Sequence, residues 1–414
     1  MDMTVVISCL LVVAFAYNHN PINPLRQSNP SIFECPPIDE AQVEVITKAS
    51  GGVSLLEMRF PTALKSGIPE NDIVHSTVYV PPEAKSSKVP FVVILHAFAS
   101  RDAEVERYLA KAFAHRGIAA AVMELPYHLH RSPKGMESGE FLFRTSLDGV
   151  LSAIRQAVMD AKRLIDCISL QPFVDQSKVG VVGVSFGGII ATLLCCVDKR
   201  VSVCVDVLGG DLAITLWKSW LTRPFRRSLE RAGITFESLR SLVQSVNPTA
   251  YASEAKGKSI LMVMSEYDLF VPREACLELW RALGCPPLIH LYTGHLCAQF
   301  SAEALKNAIA KFIETTFSSG LSATEVASTL NHVPSIAVKA ETLIVAGGKA
   351  GVGIAIELAD LDRARRTSLD LHLTTGGVYL GIQWEASRNF AVGACVRMDE
   401  RRVLKPHMSA FLIF

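Results

Sequence analysis

The run Val179-Gly180-Val181-Val182-Gly183-Val184-Ser185-Phe186-Gly187-Gly188 holds a serine between two glycines at Gly-x-Ser-x-Gly spacing. An apolar strand pattern leads into it, and a helical pattern, Ile189 to Leu194, follows. A serine on such a strand-to-helix turn has strained dihedrals and an exposed hydroxyl. Gly183 and Gly187 are needed where a β-carbon would strike the neighbouring backbone. The chemistry this permits is nucleophilic attack by Ser185 on a carbonyl. A serine hydroxyl is a weak nucleophile at neutral pH, so a histidine base and a carboxylate to orient it must come from elsewhere in the chain.

Both stand downstream in the order serine, acid, histidine. Asp268 lies just past the apolar run Ile260 to Met264, and His295 lies just past the run ending at Tyr292. Each follows the carboxyl end of a strand, where sites of open α/β sheets form. Asp268 is the preferred acid. Asp206 is its main alternative, and Glu266 and Asp211 are further rivals. His295 is preferred as base, because His290 falls inside a strand and His332 and His407 fall in the C-terminal tail. A developing oxyanion needs two fixed donors, one from the residue after the nucleophile and one from the loop after an early strand. The backbone amides of Phe186 and Phe98 meet that description. His96, Tyr127 and His128 are candidate pocket residues, with an ordinary polar loop as the alternative for the Tyr127 segment.

The elements that position these residues read as α/β. Strands are expected at His75 to Val80, Phe91 to Leu95, Ile118 to Val122, Val179 to Val184, Val201 to Val207, Ile260 to Met264 and Leu288 to Tyr292. Apolar residues recur at three and four over Ala103 to His115, Leu147 to Ile168, Arg273 to Leu283 and Ala302 to Phe317, which predicts amphipathic crossover helices on both faces of a mostly parallel sheet. The gap at about 209–256 carries Trp217, Trp220, Phe225 and the basic cluster Arg223, Arg226, Arg227 and Arg231. It predicts a helical cap insertion, with a solvated basic helix as the plainer alternative.

With elbow, acid, histidine and oxyanion turn in this order, residues from about Val45 to Phe317 resemble the α/β-hydrolase superfamily, especially its dienelactone-hydrolase-like and acetyl-esterase-like members. The segment Pro126-Tyr127-His128-Leu129-His130-Arg131-Ser132-Pro133, and Asp268 in a stretch ending Val271-Pro272, are similar to bacterial hydrolases of this group. His96-Ala97-Phe98 corresponds to the His-Gly-x turn common in such enzymes, with alanine in place of glycine. The resemblance implies the α/β-hydrolase fold and a small-molecule ester substrate. Thioester or peptide cleavage by the same triad stays open, as does a non-catalytic binding module.

The 414 residues carry 41 basic and 40 acidic side chains, a net charge of +1, which gives no global field for nucleic acid. None of the ten cysteines shows CxxC or Cys/His metal spacing, so no metal and no cofactor is expected. Cys195, Cys196 and Cys204 lie in apolar runs and read as small buried hydrophobes; a bridge through Cys35 is left open. Residues 1–40 read as an apolar segment, Thr4 to Ala16, followed by an Asn- and Pro-rich linker. The apolar segment suits a signal-peptide core or an anchor, while Met1-Asp2-Met3 lacks the usual positive charge, so export and a cytoplasmic location stand equal. The hydrolase domain is expected over 41–318, a linker over 319–336, and a β-rich segment over 337–414, with a hairpin from Tyr379 to Trp384 and Phe390 to Val396. Terminal Phe414 suits the end of an outer-membrane strand, so membrane or envelope contact through the termini is an option. The tail holds too few strands to close a usual barrel alone. Gly347 to Gly353 resembles a nucleotide loop loosely and reads better as turns and bulges.

Overall fold

The computed structural model describes residues 29–36, 38, 42–50, 52–295, 298, 302–319 and 321–328, then 338–345, 349–360, 367–374, 377–387, 390–398 and 406–413. Its described residues fall into two compact units. The first spans Met1–Val263, Glu274–Leu288 and Lys306–Asn331, and the second Met264–Arg273, Ile289–Leu305 and His332–Phe414. The apolar segment Thr4 to Ala16, Gly347, Gly348 and Phe414 lie outside the described residues.

Nine strands form one mixed sheet: β1 (Glu44–Ser50), β2 (Val53–Pro61), β3 (Ile73–Val80), β4 (Val89–Leu95), β5 (Ala119–Met123), β6 (Val174–Val184), β7 (Val201–Val207), β8 (Ser259–Ser265) and β9 (Leu288–Leu291). Their order is β1-β2-β3-β5-β4-β6-β7-β8-β9. β5, β4, β6, β7 and β8 run parallel, whereas β1, β2 and β3 are joined antiparallel and β3 meets β5 antiparallel. Strands covered on both faces can be apolar throughout. Val92, Val93, Ile94, Leu95, Val181 and Val182 are fully buried in that way.

The helices follow the expected crossovers: α1 (Glu104–Ala114), α2 (Glu140–Arg144), α3 (Leu147–Ser169), α4 (Phe186–Val197), α5 (Leu212–Lys218), α6 (Arg223–Arg231), α7 (Phe236–Val243), α8 (Arg273–Ala282), α9 (Ala302–Ser319) and α10 (Ala323–Ser328). α5, α6 and α7 fill the gap after β7. Asp211 caps α5 by accepting from Ile214 N–H, and Thr235 caps α7 by accepting from Ser238 N–H. Phe225 and Leu229 bury the inner side of the basic helix α6.

Four expectations change. The Pro-rich segment is not all linker: Phe33 is fully buried with its ring edge on Tyr251, and Arg155 and Arg163 donate to the carbonyls of Ile32 and Pro36. The β1–β2 hairpin, with Gly52 at φ 90° beside its turn, was not expected. The linker at 319–336 contains α10, because Ser322 and Glu325 form a reciprocal capping box and Val326 buries its side chain. The tail does close a barrel. Its strands are β10 (Val338–Val345), β11 (Lys349–Asp360), β12 (Thr367–Thr374), β13 (Gly377–Ser387), β14 (Phe390–Met398) and β15 (Pro406–Ile413), and β15 pairs back onto β10. The expected hairpin is β13–β14.

Cys195, Cys196 and Cys204 are buried, and no disulfide joins any of the described cysteines, Cys35 included. No helix among the described residues is long and apolar enough to cross a membrane.

Candidate active site

In the first unit β6 ends at Val184 and α4 begins at Phe186, which leaves Ser185 on the turn with φ 56° and ψ −114°. A non-glycine residue holds such dihedrals only where its surroundings over-determine them. Here Ser185 N–H donates to Val207 O of β7 at 2.7 Å. A β-carbon on Gly183 would overlap the carbonyl of Gly187, and one on Gly187 would overlap that of Leu95. Both glycines are therefore dictated by close backbone approach. Phe186 and Gly187 open the helix, where amides have no helical acceptor.

The loop after β4 is built from buried polar groups. His96 is fully buried; its Nε2 accepts from Leu125 N–H at 2.9 Å, so Nδ1 carries the proton and donates to Ala97 O at 2.8 Å. Burial lowers its pKa to about 4, over the opposing bond to Ala97, and keeps the ring neutral. Ala97 N–H donates to Glu106 of α1 at 3.2 Å. Ala97 itself keeps an ordinary φ, and Ala99 takes the left-handed turn at φ 53°. That is how the loop accommodates alanine in place of glycine.

Phe98 stands edge-on to Phe186 at 5.9 Å and to His128 at 5.3 Å. Tyr127, Leu142 and Ala153 form one buried cluster against which Phe98, Phe141 and Phe186 pack. Thus five expected residues, Phe98, Phe186, Tyr127, His128 and His96, share one neighbourhood. His96 departs from expectation as a pocket wall: with both ring nitrogens on backbone, it fastens the loop after β4 to the loop after β5. His128 is also fully buried, donates from Nδ1 to Pro126 O at 2.8 Å, and is held neutral, with a pKa lowered to about 3 chiefly by burial and then by His96.

In the second unit Asp268 follows β8, and its Oδ1 accepts from Phe270 N–H and Val271 N–H, each at 2.8 Å. Its Oδ2 lies 2.6 Å from His295 Nδ1. The ring edge of Phe270 packs on the imidazole at 5.2 Å. The rivals are occupied differently. Glu266 pairs with His290 at 2.7 Å and with Arg273 at 3.0 Å, Asp211 caps α5 and holds Asn247, and Asp206 bonds Gly209 N–H and Thr192.

Comparison with known proteins bears on the fold and the family. A family model described as acetyl xylan esterase matches residues 65–208, and one described as BAAT / acyl-CoA thioester hydrolase C terminal matches residues 163–268. Among solved structures, an acetyl xylan esterase from Paenibacillus sp. R4 is similar at 17% identity and TM-score 0.53, covering 76% of this chain and 99% of that one. The acylaminoacyl peptidase of Pyrococcus horikoshii is similar at 14% identity and TM-score 0.50, covering 67% and 44%. Acetyl xylan esterase 1 from Thermoanaerobacterium sp. JW/SL YS485 has 16% identity and TM-score 0.49, covering 73% and 98%. The chain belongs to the α/β-hydrolase superfamily. No curated protein matches it.

This hydrolase also contains positioning residues that motif reasoning missed. Arg131 is fully buried, donates to the carbonyls of Asn71 and Glu124, and pairs with the equally buried Asp160 of α3 at 2.8 Å. Asn71 accepts from Tyr127 N–H at 2.9 Å and donates to Gln156 at 2.9 Å. Together they hold the 126–132 loop, where Tyr127 and Leu129 have φ of 65° and 52°. One signal was available: Asp160 interrupts the apolar face of α3 between Ala157 and Leu164, and a carboxylate there requires a buried partner.

Proposed function

We propose that this hydrolase cleaves carboxylic esters through an acyl-serine intermediate, with Ser185 as nucleophile, His295 as base and Asp268 as the group that orients it. The observation that carries the reading is the 2.6 Å contact between Asp268 Oδ2 and His295 Nδ1. That bond keeps the ring proton on Nδ1, so the lone pair on Nε2 is the basic atom. In the first step Ser185 Oγ bonds to the ester carbonyl carbon, its proton passes to His295 Nε2, and the carbonyl oxygen becomes an oxyanion received by the amides of Phe186 and Phe98. The carbon–alkoxy bond then breaks, and the leaving alcohol takes the proton from His295. Water repeats the sequence on the acyl-serine and releases the acid.

Support comes from the strained φ of Ser185, from the acid and histidine following consecutive strands of the sheet order, and from the acetyl xylan esterase family match. Full-length protein treated with a fluorophosphonate probe is expected to label on Ser185 and to hydrolyse p-nitrophenyl acetate. Ser185→Ala, folded by circular dichroism, should lose both; normal labelling of that variant overturns the assignment. The match to the acyl-CoA thioester hydrolase model favours a second reading, thioester cleavage by the same residues. An acetyl-CoA assay beside the ester assay separates the two by kcat/KM.

A further inference from the structure

The C-terminal barrel buries polar side chains beside apolar ones and leaves a row of apolar side chains exposed. Residues opposed in a ladder share a face, and successive residues alternate, so the pairing fixes which side each position takes. On β12 and β13 the inward, buried positions are Asp370, His372, Tyr379, Gly381 and Gln383, and on β14 they include Ala391 and Cys395. The outward positions between them are apolar and open: Leu373, Val378, Ile382, Trp384 and Val392 are exposed, Ile382 at 50% and Trp384 at 47%. They are cross-strand neighbours, with Leu373 opposite Val378 and Trp384 opposite Val392. The ladder carries the row onward, with Val392 opposite Ala410 on β15, Ala410 opposite Ile344 on β10, and Ile354 on β11 opposite Leu373. Apolar register positions thus continue around the ring.

A closed barrel in water turns polar side chains outward; an outward row of apolar ones, with polar groups such as Asp370, His372 and Gln383 kept inside, suits a hydrocarbon surround. The narrow bore of six strands needs Gly353, Gly381 and Gly393 at inward positions where a β-carbon would overlap neighbouring-strand atoms. The closed ladder offers no free edge for an added strand. A protein partner or second copy would cover one side of the cylinder, whereas acyl chains meet all sides. The strands, 8 to 12 residues long, match the roughly 9–11 residues that cross a hydrocarbon core.

We propose that the β10–β15 barrel is lipid-facing and holds this hydrolase at a phospholipid membrane, with the Leu373, Val378, Ile382, Trp384 and Val392 face among the acyl chains. The test uses the full chain and vesicles of phosphatidylethanolamine and phosphatidylglycerol, with flotation through a density gradient in 1 M NaCl. The protein is expected to float. Bromine on the lipid acyl chains should quench a part of the tryptophan emission that Trp384→Phe, a change conserving size and apolarity, removes. Ile382→Asp should lower the floated fraction about tenfold or more, while Gln383→Asn, one residue along and facing inward, leaves it unchanged. Protein that stays at the bottom of the gradient overturns the proposal. So does flotation that Ile382→Asp does not reduce, bromine quenching that Trp384→Phe does not diminish, or a non-floating dimer that Ile382→Asp splits, which would identify a second copy as the occupant.

Discussion

Asp206 and Asp268 both lie at the ends of strands of one sheet, yet their carboxyls meet different partners. Asp268 touches an imidazole, while Asp206 is fully buried against Gly209 N–H at 2.8 Å and the Thr192 hydroxyl at 3.2 Å. Burial lifts the Asp206 pKa from 3.8 to about 7, over those two bonds, which lower it. Between these values the native state holds a proton that the unfolded chain has released, so the contribution of Asp206 to stability is present below the unfolded value and lost as pH rises through about 7. His96 and His128, lowered to about 4 and about 3, act in the opposite sense: their contribution is present above 6.5 and lost as pH falls towards those values. Asp206→Asn removes only the first slope. Its melting temperature relative to the parent should therefore rise between about pH 5 and about pH 8, with ester turnover kept, and a pH-independent difference would show that Asp206 does not titrate in this way. Asp268→Asn should instead lower kcat by about 10⁴-fold, through the wrong imidazole tautomer.

At the scale of elements, a buried ion pair fastens the 126–132 loop to α3. Asp160 Oδ2 takes Arg131, while Oδ1 accepts from Thr62 at 2.7 Å and from Ala63 N–H at 3.0 Å. Removing one partner of such a pair strands the other charge, at about 3–5 kcal/mol. Arg131→Met should lower the urea midpoint accordingly, and adding Asp160→Asn, which keeps the Oδ1 acceptor, should recover part of the loss. A double variant no more stable than the single one would locate the cost elsewhere. This pair also marks the limit of what the sequence revealed. The elbow was legible because strand, turn and helix are contiguous in Val179 to Leu194, and local sterics specify glycine on both sides of Ser185. The crossover helices were legible from their periodicity. Arg131 and Asp160 stand 29 residues apart, and no local rule joins them. The β1–β2 hairpin, which turns at Gly52, lay inside the expected hydrolase domain but ahead of its first expected strand, and the Ser322–Glu325 capping box sat in a stretch whose composition read as linker.

For the whole molecule, ring closure was the least legible feature, since β10 and β15 pair across more than sixty residues of sequence and neither strand records its distant partner. Closure matters beyond the tail. Tyr267, next to Asp268, shares one buried cluster with Tyr379, Ala391 and Cys395 of the barrel, and Met264–Arg273 belongs to the same compact unit as β10–β15. A chain ending at Ser319 exposes Tyr267 and loosens the loop that holds the acid. Misplacing a catalytic group by about 1 Å can cost about 10²-fold in rate, so p-nitrophenyl acetate turnover by that chain should fall to this extent. Flotation should be lost in the same truncation. The two measurements separate the roles: full turnover without flotation would leave the barrel as an anchor only, and lost turnover with vesicle binding intact would leave it as a support for Asp268.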